Sequence, residues 1–310
     1  VNVRALAEEL AGGLREQVLP ALGSHAARAH AGGAEGGDVT FGMDEAAEAW
    51  LEEYLGAHAP EVAFYSEDRG LVGPAAAEHV LIVDPVDGTR PALAGFESAC
   101  VSVAAAAMGD GAPRMRDVEV GVVVEIKSGA RFVAVRGEGV RADAPVRLSE
   151  NRDLDRLFWV YGLRGRPARD TIEVLAELLD RSSVGGGTFD LGSATYDMTR
   201  VLTGQLDAYV EPGPRMIEEV PGMLDEFRRV GAGAVLNNAP YDVAAAALIL
   251  QEGGAIVTDA AGGELDDRLL LGSGHEFQMS MLAAANAPLH AQLVAEIDAG
   301  IARLRERRGR

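Results

Sequence analysis

The chain has 310 residues, 48% of them hydrophobic and 25% charged, a composition ordinary for a globular protein with a substantial core in one large or two smaller domains. Its 28 basic residues against 48 acidic ones give a formal net charge of -20, which disfavours nucleic-acid backbones and anionic membrane surfaces as partners. Cys100 is the only cysteine, which excludes a disulfide framework and a cysteine-rich zinc site; with no apolar run of ~20 residues and no signal-like N-terminus, a cytoplasmic location is the default expectation.

From the N-terminus, Val3, Leu6, Leu10, Leu14, Val18 and Leu22 recur at three- and four-residue steps, which predicts an amphipathic helix. The glycine-rich stretch 29–38 that follows reads as a mobile loop. A second helix is predicted over 44–55, with Ala47, Trp50, Leu51 and Tyr54 on its buried side. Residues 62–68 and 79–89 are short apolar runs ending in acidic residues, the pattern of buried strands whose carboxyl ends carry chemistry. Strand-like runs at 100–107, 118–126 and 131–135 lack intervening helices, so an antiparallel or mixed sheet is expected in the N-terminal half.

After about residue 148 the pattern alternates. A strand at 159–162, a helix over 171–180, a glycine run at 185–187 and a helix over 193–202 are followed by a strand at 207–211, a helix over 242–251 and a strand at 255–258. The chain is therefore read as a layered α/β protein in two parts, an N-terminal α+β domain over 1–148 and a C-terminal α/β domain with a smaller sheet over 149–310.

The segment DPVDGT, residues 84–89, closes the apolar run VLIV. Carboxylates three apart in a turn forced by Pro85 and Gly88 face one point, and hard cations such as Mg²⁺ prefer such oxygen ligands. Bound cations would also give so acidic a protein the positive centre that an anionic substrate needs. DP and DG are equally common turn dipeptides, and an acid after a strand often only caps a helix. Elsewhere, GSAT around Ser193 lacks the G-x-S-x-G pattern of an α/β-hydrolase and reads as a helix cap. RVGAGAV (229–235) follows a helix and not a strand, which argues against dinucleotide binding.

Three segments in order, SED at 66–68, DPVDGT at 84–89 and YDVAAAALILQEGGAIVTD at 241–259, together with VTFGMDEAAEAWL (39–51) and GSATYDMTRVLTGQLDAYVE (192–211), resemble the inositol monophosphatase-like family of Mg²⁺-dependent phosphatases across most of the chain. The resemblance implies two or three Mg²⁺ ions held by Glu67, Asp84, Asp87, Asp242 and the Val86 carbonyl, with Asp44 and Thr89 orienting the attacking water. It further implies that the backbone amides of Gly88 and Thr89 receive the phosphate, that Glu211 contacts a substrate hydroxyl beside the loop Gly192, Ser193 and Ala194, and that the protein is a homodimer. The implied activity is hydrolysis of a small phosphorylated metabolite of the inositol, sugar or nucleotide type; a catalytically silent ligand- or partner-binding member and an acidic cation binder are the alternatives.

The chain departs from the family pattern in three places. After DGT it has Arg90 and Pro91. Arg90 suits a second anionic group on the substrate, or else faces solvent or pairs with Glu97. Residues 212–240 form an insertion where the simplest relatives have only a few residues, so part of it is expected to cover or shape the substrate pocket, with a surface excursion or a subunit contact as the competing reading. The loop 29–38 has no lysine where many relatives have one.

Overall fold

A computed structural model describes residues 1–34, 37, 39–109 and 111–309 of the chain. Leu6, Leu10, Leu14 and Val18 bury one stripe of helix α1 (Val3–Val18). Pro20 lacks the N–H that would extend the helix, and the predicted run to residue 22 tightens into a 3₁₀ turn over Leu19–Ala21. The described part of the glycine-rich stretch is not simply a loop: β1 (His30–Gly33) pairs antiparallel with β2 (Val39–Phe41), while residues 35, 36 and 38 lie outside the described residues. Then follow α2 (Gly42–His58), β3 (Ala63–Ser66), β4 (Gly70–Val72), β5 (His79–Asp87), a short α3 (Thr89–Ala94), β6 (Cys100–Ala107), β7 (Val118–Glu125), β8 (Arg131–Val135) and β9 (Gly139–Ala142). The second half contains β10 (Phe158–Tyr161), α4 (Ala168–Gly185), β11 (Gly187–Phe189), α5 (Ala194–Leu202), β12 (Ala208–Glu211), α6 (Gly213–Glu219), α7 (Met223–Val230), α8 (Pro240–Glu252), β13 (Ile256–Thr258), β14 (Met281–Ala284) and α9 (Ala287–Arg308).

The strands form two large mixed sheets. Seven run in the order β4-β3-β5-β6-β7-β8-β9, with only β3 and β5 parallel. Five run in the order β11-β10-β12-β14-β13; β10 is parallel to both β11 and β12, and β14 is antiparallel to β12 and β13. Alternate residues of a strand face opposite sides, and β5 uses this fully: Leu81 and Val83 join the core under α1 and α2, whereas Val80 and Ile82 join the core that α8 occupies. On the far side of the smaller sheet, Trp159, Val210 and Leu282 pack with α4, α6, α7 and α9. The layers are helices, sheet, helices, sheet, helices, the mixed α/β architecture expected. No described helix is long and apolar enough to cross a membrane.

The central layer is α8, with α5 beside it. Its residues from Val243 to Leu250 are buried on every side, as befits a helix apolar all round. The alanine run Ala244, Ala245, Ala246 and Ala247 lets the larger sheet approach closely. A Cβ at Gly121 on β7 would lie 2.6 Å from the carbonyl oxygen of Ala245, so that contact requires glycine. Gly121→Ala should therefore destabilise the fold by about 1–3 kcal/mol through overpacking. Gly56→Ala, at an exposed α2 position with nothing within 4 Å of the added carbon, should stabilise by about 0.5–1 kcal/mol through helix propensity. Urea denaturation of both variants checks the pair of signs.

Candidate active site

β5 reaches Asp84 opposite Ser102 and Asp87 opposite Cys100, with the pairing register shifting between them. Pro85 cannot donate to the ladder, and at this irregularity the Asp84 side chain accepts the N–H of Val86 at 2.9 Å. Gly88 then turns the chain with φ 88°, and a Cβ there would come within 2.6 Å of the Ser98 carbonyl oxygen and 2.8 Å of Ser193 Cβ. The acidic turn is thus set by a proline that interrupts the strand and a glycine that alone fits the bend.

Three other elements meet this turn. Near the start of α2, Asp44 Oδ2 accepts the Phe41 N–H at 2.9 Å while its Oδ1 lies 3.1 Å from the Thr89 hydroxyl. That hydroxyl is also 3.1 Å from the Val86 carbonyl. At the start of α5, the Ser193 hydroxyl and the Thr195 N–H both donate to Asp87 Oδ2, at 2.7 and 2.6 Å, which ties the Gly192, Ser193 and Ala194 loop to the acidic turn. Ser193 also caps α5 through the Tyr196 N–H at 3.1 Å, so the cap read from sequence and the contact to Asp87 use one oxygen. At the start of α8, Asp242 Oδ2 accepts the Ala239 N–H at 2.6 Å.

These contacts bring ligand oxygens of Asp84, Asp87 and Asp242 within 4.8 Å of one another. Burial, then the charges of Asp87, Glu67 and Asp242, hold the Asp84 carboxyl well above its usual range. Asp87 is raised by burial against the opposing bonds from Ser193 and Thr195. Asp242 is pushed up to about 7 by burial and by Asp87, opposed by the Ala239 N–H, Arg164 and Arg166. Three carboxylates, those of Asp84 and Asp87 buried and that of Asp242 half-buried, disfavour one another's charge and form a hard-oxygen donor set, the chemistry a divalent cation such as Mg²⁺ fits.

Glu67 borders a small cavity with Asp242 and Tyr241. Its neighbours are held by Glu48, which accepts the Ser66 hydroxyl at 2.7 Å and the Asp68 N–H at 3.2 Å and whose own carboxyl burial raises to about 7. A second cavity, about 70 Å³, is bordered by Asp87, Ser193, Arg164, Asn237 and Asp242.

Arg90 and Glu211, both expected at the site, border neither of these cavities. Arg90 is exposed, with its guanidinium 5.5 Å from the centre of the Phe41 ring, and borders an outer groove with Phe96 and Tyr196. Glu97, its candidate partner, lies 3.4 Å from Lys127. Glu211 is buried, ion-paired to Arg166, and accepts the Gly213 N–H at 2.8 Å. Arg166 also donates to the Leu236 carbonyl at 2.9 Å and faces Asn238 Oδ1 at 3.3 Å. The insertion is folded rather than loose: α6 and α7 bury Met216, Met223 and Phe227, Arg215 reaches the Ala260 carbonyl at 2.9 Å and Asp298 at 2.6 Å, and its end, Leu236 to Asn238, borders the 70 Å³ cavity.

Sequence reasoning missed Glu48, Arg164, Arg166, Asn237 and Gln278. For the two arginines a signal existed, since they follow the carboxyl end of β10, parallel to β12, the end of a parallel pair where ligands commonly bind. Asn237 lies in a segment without periodicity or motif.

Comparison with known proteins agrees with this geometry. A curated relative from Methanothermobacter thermautotrophicus, named fructose-1,6-bisphosphatase/inositol-1-monophosphatase, is 27% identical over 225 residues, 71% of this chain and 68% of that protein. A relative from Neisseria meningitidis serogroup B, named putative Nus factor SuhB, is 29% identical over 226 residues, covering 73% and 75%. The solved structure of the extragenic suppressor protein suhB from Bartonella henselae superposes with a TM-score of 0.72 at 21% identity, covering 97% of this chain and all of that one, and so shares the fold. Residues 1–301 match the profile of the inositol monophosphatase family, and the chain belongs to that family, whose membership points to a phosphatase.

Proposed function

We propose that the protein is a Mg²⁺-dependent phosphomonoesterase acting on a small phosphorylated metabolite. The observation that carries this reading is the convergence of Asp84, Asp87 and Asp242 from two elements, β5 and α8, beside a cavity and next to the Asp44–Thr89 contact. Glu67, Asp84, Asp87 and Asp242, with the Val86 carbonyl, are the groups that would hold two or three ions. Such ions neutralise phosphate charge and make water a nucleophile near neutral pH.

The chain's own residues supply position and proton handling, which is most of what phosphoryl transfer asks of a protein. Asp44 Oδ1 accepts from the Thr89 hydroxyl, which leaves the hydroxyl oxygen to accept a hydrogen bond from the attacking water and orient it; a proton taken from that water passes through the hydroxyl, whose own proton moves to the Asp44 carboxylate. The backbone amides of Gly88 and Thr89 receive the phosphate oxygens. Ser193 and Thr195 fix the rotamer of Asp87, and the Gly192 to Ala194 loop walls the leaving-group side. Arg90 attracts an anionic substrate from the outer groove.

Some relatives are named Nus factors, which supports a second reading, a member kept to bind a partner. The retained carboxylates favour chemistry, and a turnover assay separates the two.

Wild-type protein should release inorganic phosphate from a small monoester in millimolar Mg²⁺ and lose that turnover in EDTA. Asp87→Asn should lower turnover by on the order of 10³-fold, equivalent to about 4 kcal/mol, with the melting temperature retained. Full turnover in this variant would contradict the site. At pH 8 without metal, Asp84→Asn should raise the melting temperature, because it removes one of several mutually repelling buried charges. The same variant should lose the Mg²⁺-dependent rise expected when a cation binds only the folded state; differential scanning fluorimetry with and without EDTA reads both.

A further inference from the structure

The resemblance assigns the substrate-hydroxyl contact to Glu211, but that side chain is fully committed. It is 1% exposed, one carboxylate oxygen pairs with Arg166, and the other accepts the Gly213 N–H. It borders neither of the two cavities that flank Asp242.

Asn237 lies beside it. A Cβ at Gly213 would collide with Asn237 Oδ1 and lie 2.8 Å from Glu211 Oε1, so the amide and the carboxylate share one neighbour. Asn237 is 6% exposed, borders both cavities, and neither its Oδ1 nor its Nδ2 has a hydrogen-bond partner in the protein. The adjacent Asn238 is satisfied, donating to the Tyr209 hydroxyl and accepting from Arg166. Gln278 Oε1, from a residue bordering the Glu67 cavity, and Arg166 Nε and Asp197 Oδ1, from residues bordering the 70 Å³ cavity, are also buried without a partner. Native proteins leave few such groups, because each loses its hydration without gaining a partner. Their concentration in residues around these two cavities marks a polar binding surface.

We propose, building on the phosphatase reading above, that Asn237 is the specificity-determining residue that reads a substrate hydroxyl next to the reacting phosphate, in place of Glu211. An amide presents a donor and an acceptor together. A hydroxyl answers both, a fully ionised phosphate or a carboxylate could accept from Nδ2 but would leave Oδ1 without a donor, and an apolar group would leave both atoms unpaired. A site built to bond a hydroxyl rejects an analogue lacking it far more strongly than a hydrophobic pocket rejects a size change. Glu211 is left the structural task of clasping both ends of the insertion through Arg166.

The test compares inositol 1-phosphate with cyclohexyl phosphate, which shares the ring and the ester and lacks the hydroxyls. Wild type in Mg²⁺ should prefer inositol 1-phosphate in kcat/KM, and Asn237→Leu should reduce the preference ratio by about tenfold or more. Glu211→Gln should keep the ratio and lower the melting temperature. A wild type without preference, an unchanged ratio in Asn237→Leu, or a ratio lost in Glu211→Gln and kept in Asn237→Leu would overturn the assignment. Should wild type release no phosphate from either ester, the phosphatase reading fails, and calorimetric titration of the same two esters in Mg²⁺ decides the Asn237 assignment. A binding preference lost in Asn237→Leu sustains it; absent binding or an unaltered preference refutes it.

Discussion

Everything at the site depends on how closely α8 packs between the two sheets. The helix is encased, with alanines toward the larger sheet and a glycine opposite them, and its position sets where Asp242 stands relative to β5. The packing is apolar and close, and what it supports is electrostatically unfavourable: three carboxylates, two buried and one half-buried, gathered in one place. Core burial on both faces of α8, worth roughly 1.5–3 kcal/mol for each large side chain, offsets a cluster that burial and mutual repulsion oppose.

The same geometry resolves the puzzle of an anionic substrate on a protein of net charge -20. Most surface charge is screened within about 8–10 Å at physiological salt, so what an approaching phosphate meets is local. Arg164 and Arg166 stand near Asp242, and Arg90 stands at the outer groove. The bulk acidity bears on solubility and on which large partners approach, whereas the handful of groups around the cavities decides what enters.

Much of this was legible because it is local. The DPVDGT turn announces itself through Pro85 and Gly88, and Asp242 through a tyrosine before and an alanine run after. The strands β6 to β8 stand out as apolar runs with no α-helix between them. Other parts are not local. The partner of Glu211 is Arg166, 45 residues away, and no pattern in the chain pairs them. Glu48 sits on the buried face of a helix that reads as ordinary and meets Ser66 only in three dimensions. The strand Met281–Ala284 is too short and alanine-rich to declare itself. The final helix, Ala287–Arg308, carries a plain stripe of Leu289, Leu293, Ile297 and Ile301 that a reading concentrated on the acidic motifs passed over. The insertion, in which only a helix ahead of residue 229 is read from sequence, contains two helices whose apolar faces complete the outer core.

The clasp around Arg166 also fixes where one long segment leaves and rejoins the body. The segment between Glu211 and Asn238 leaves and re-enters the body at points a single guanidinium holds together, so its span is closed at the base like a drawstring. Its helices are rooted in the outer core and its two ends in one guanidinium, so the cavity wall at Asn237 is braced from both directions like the free edge of a sail.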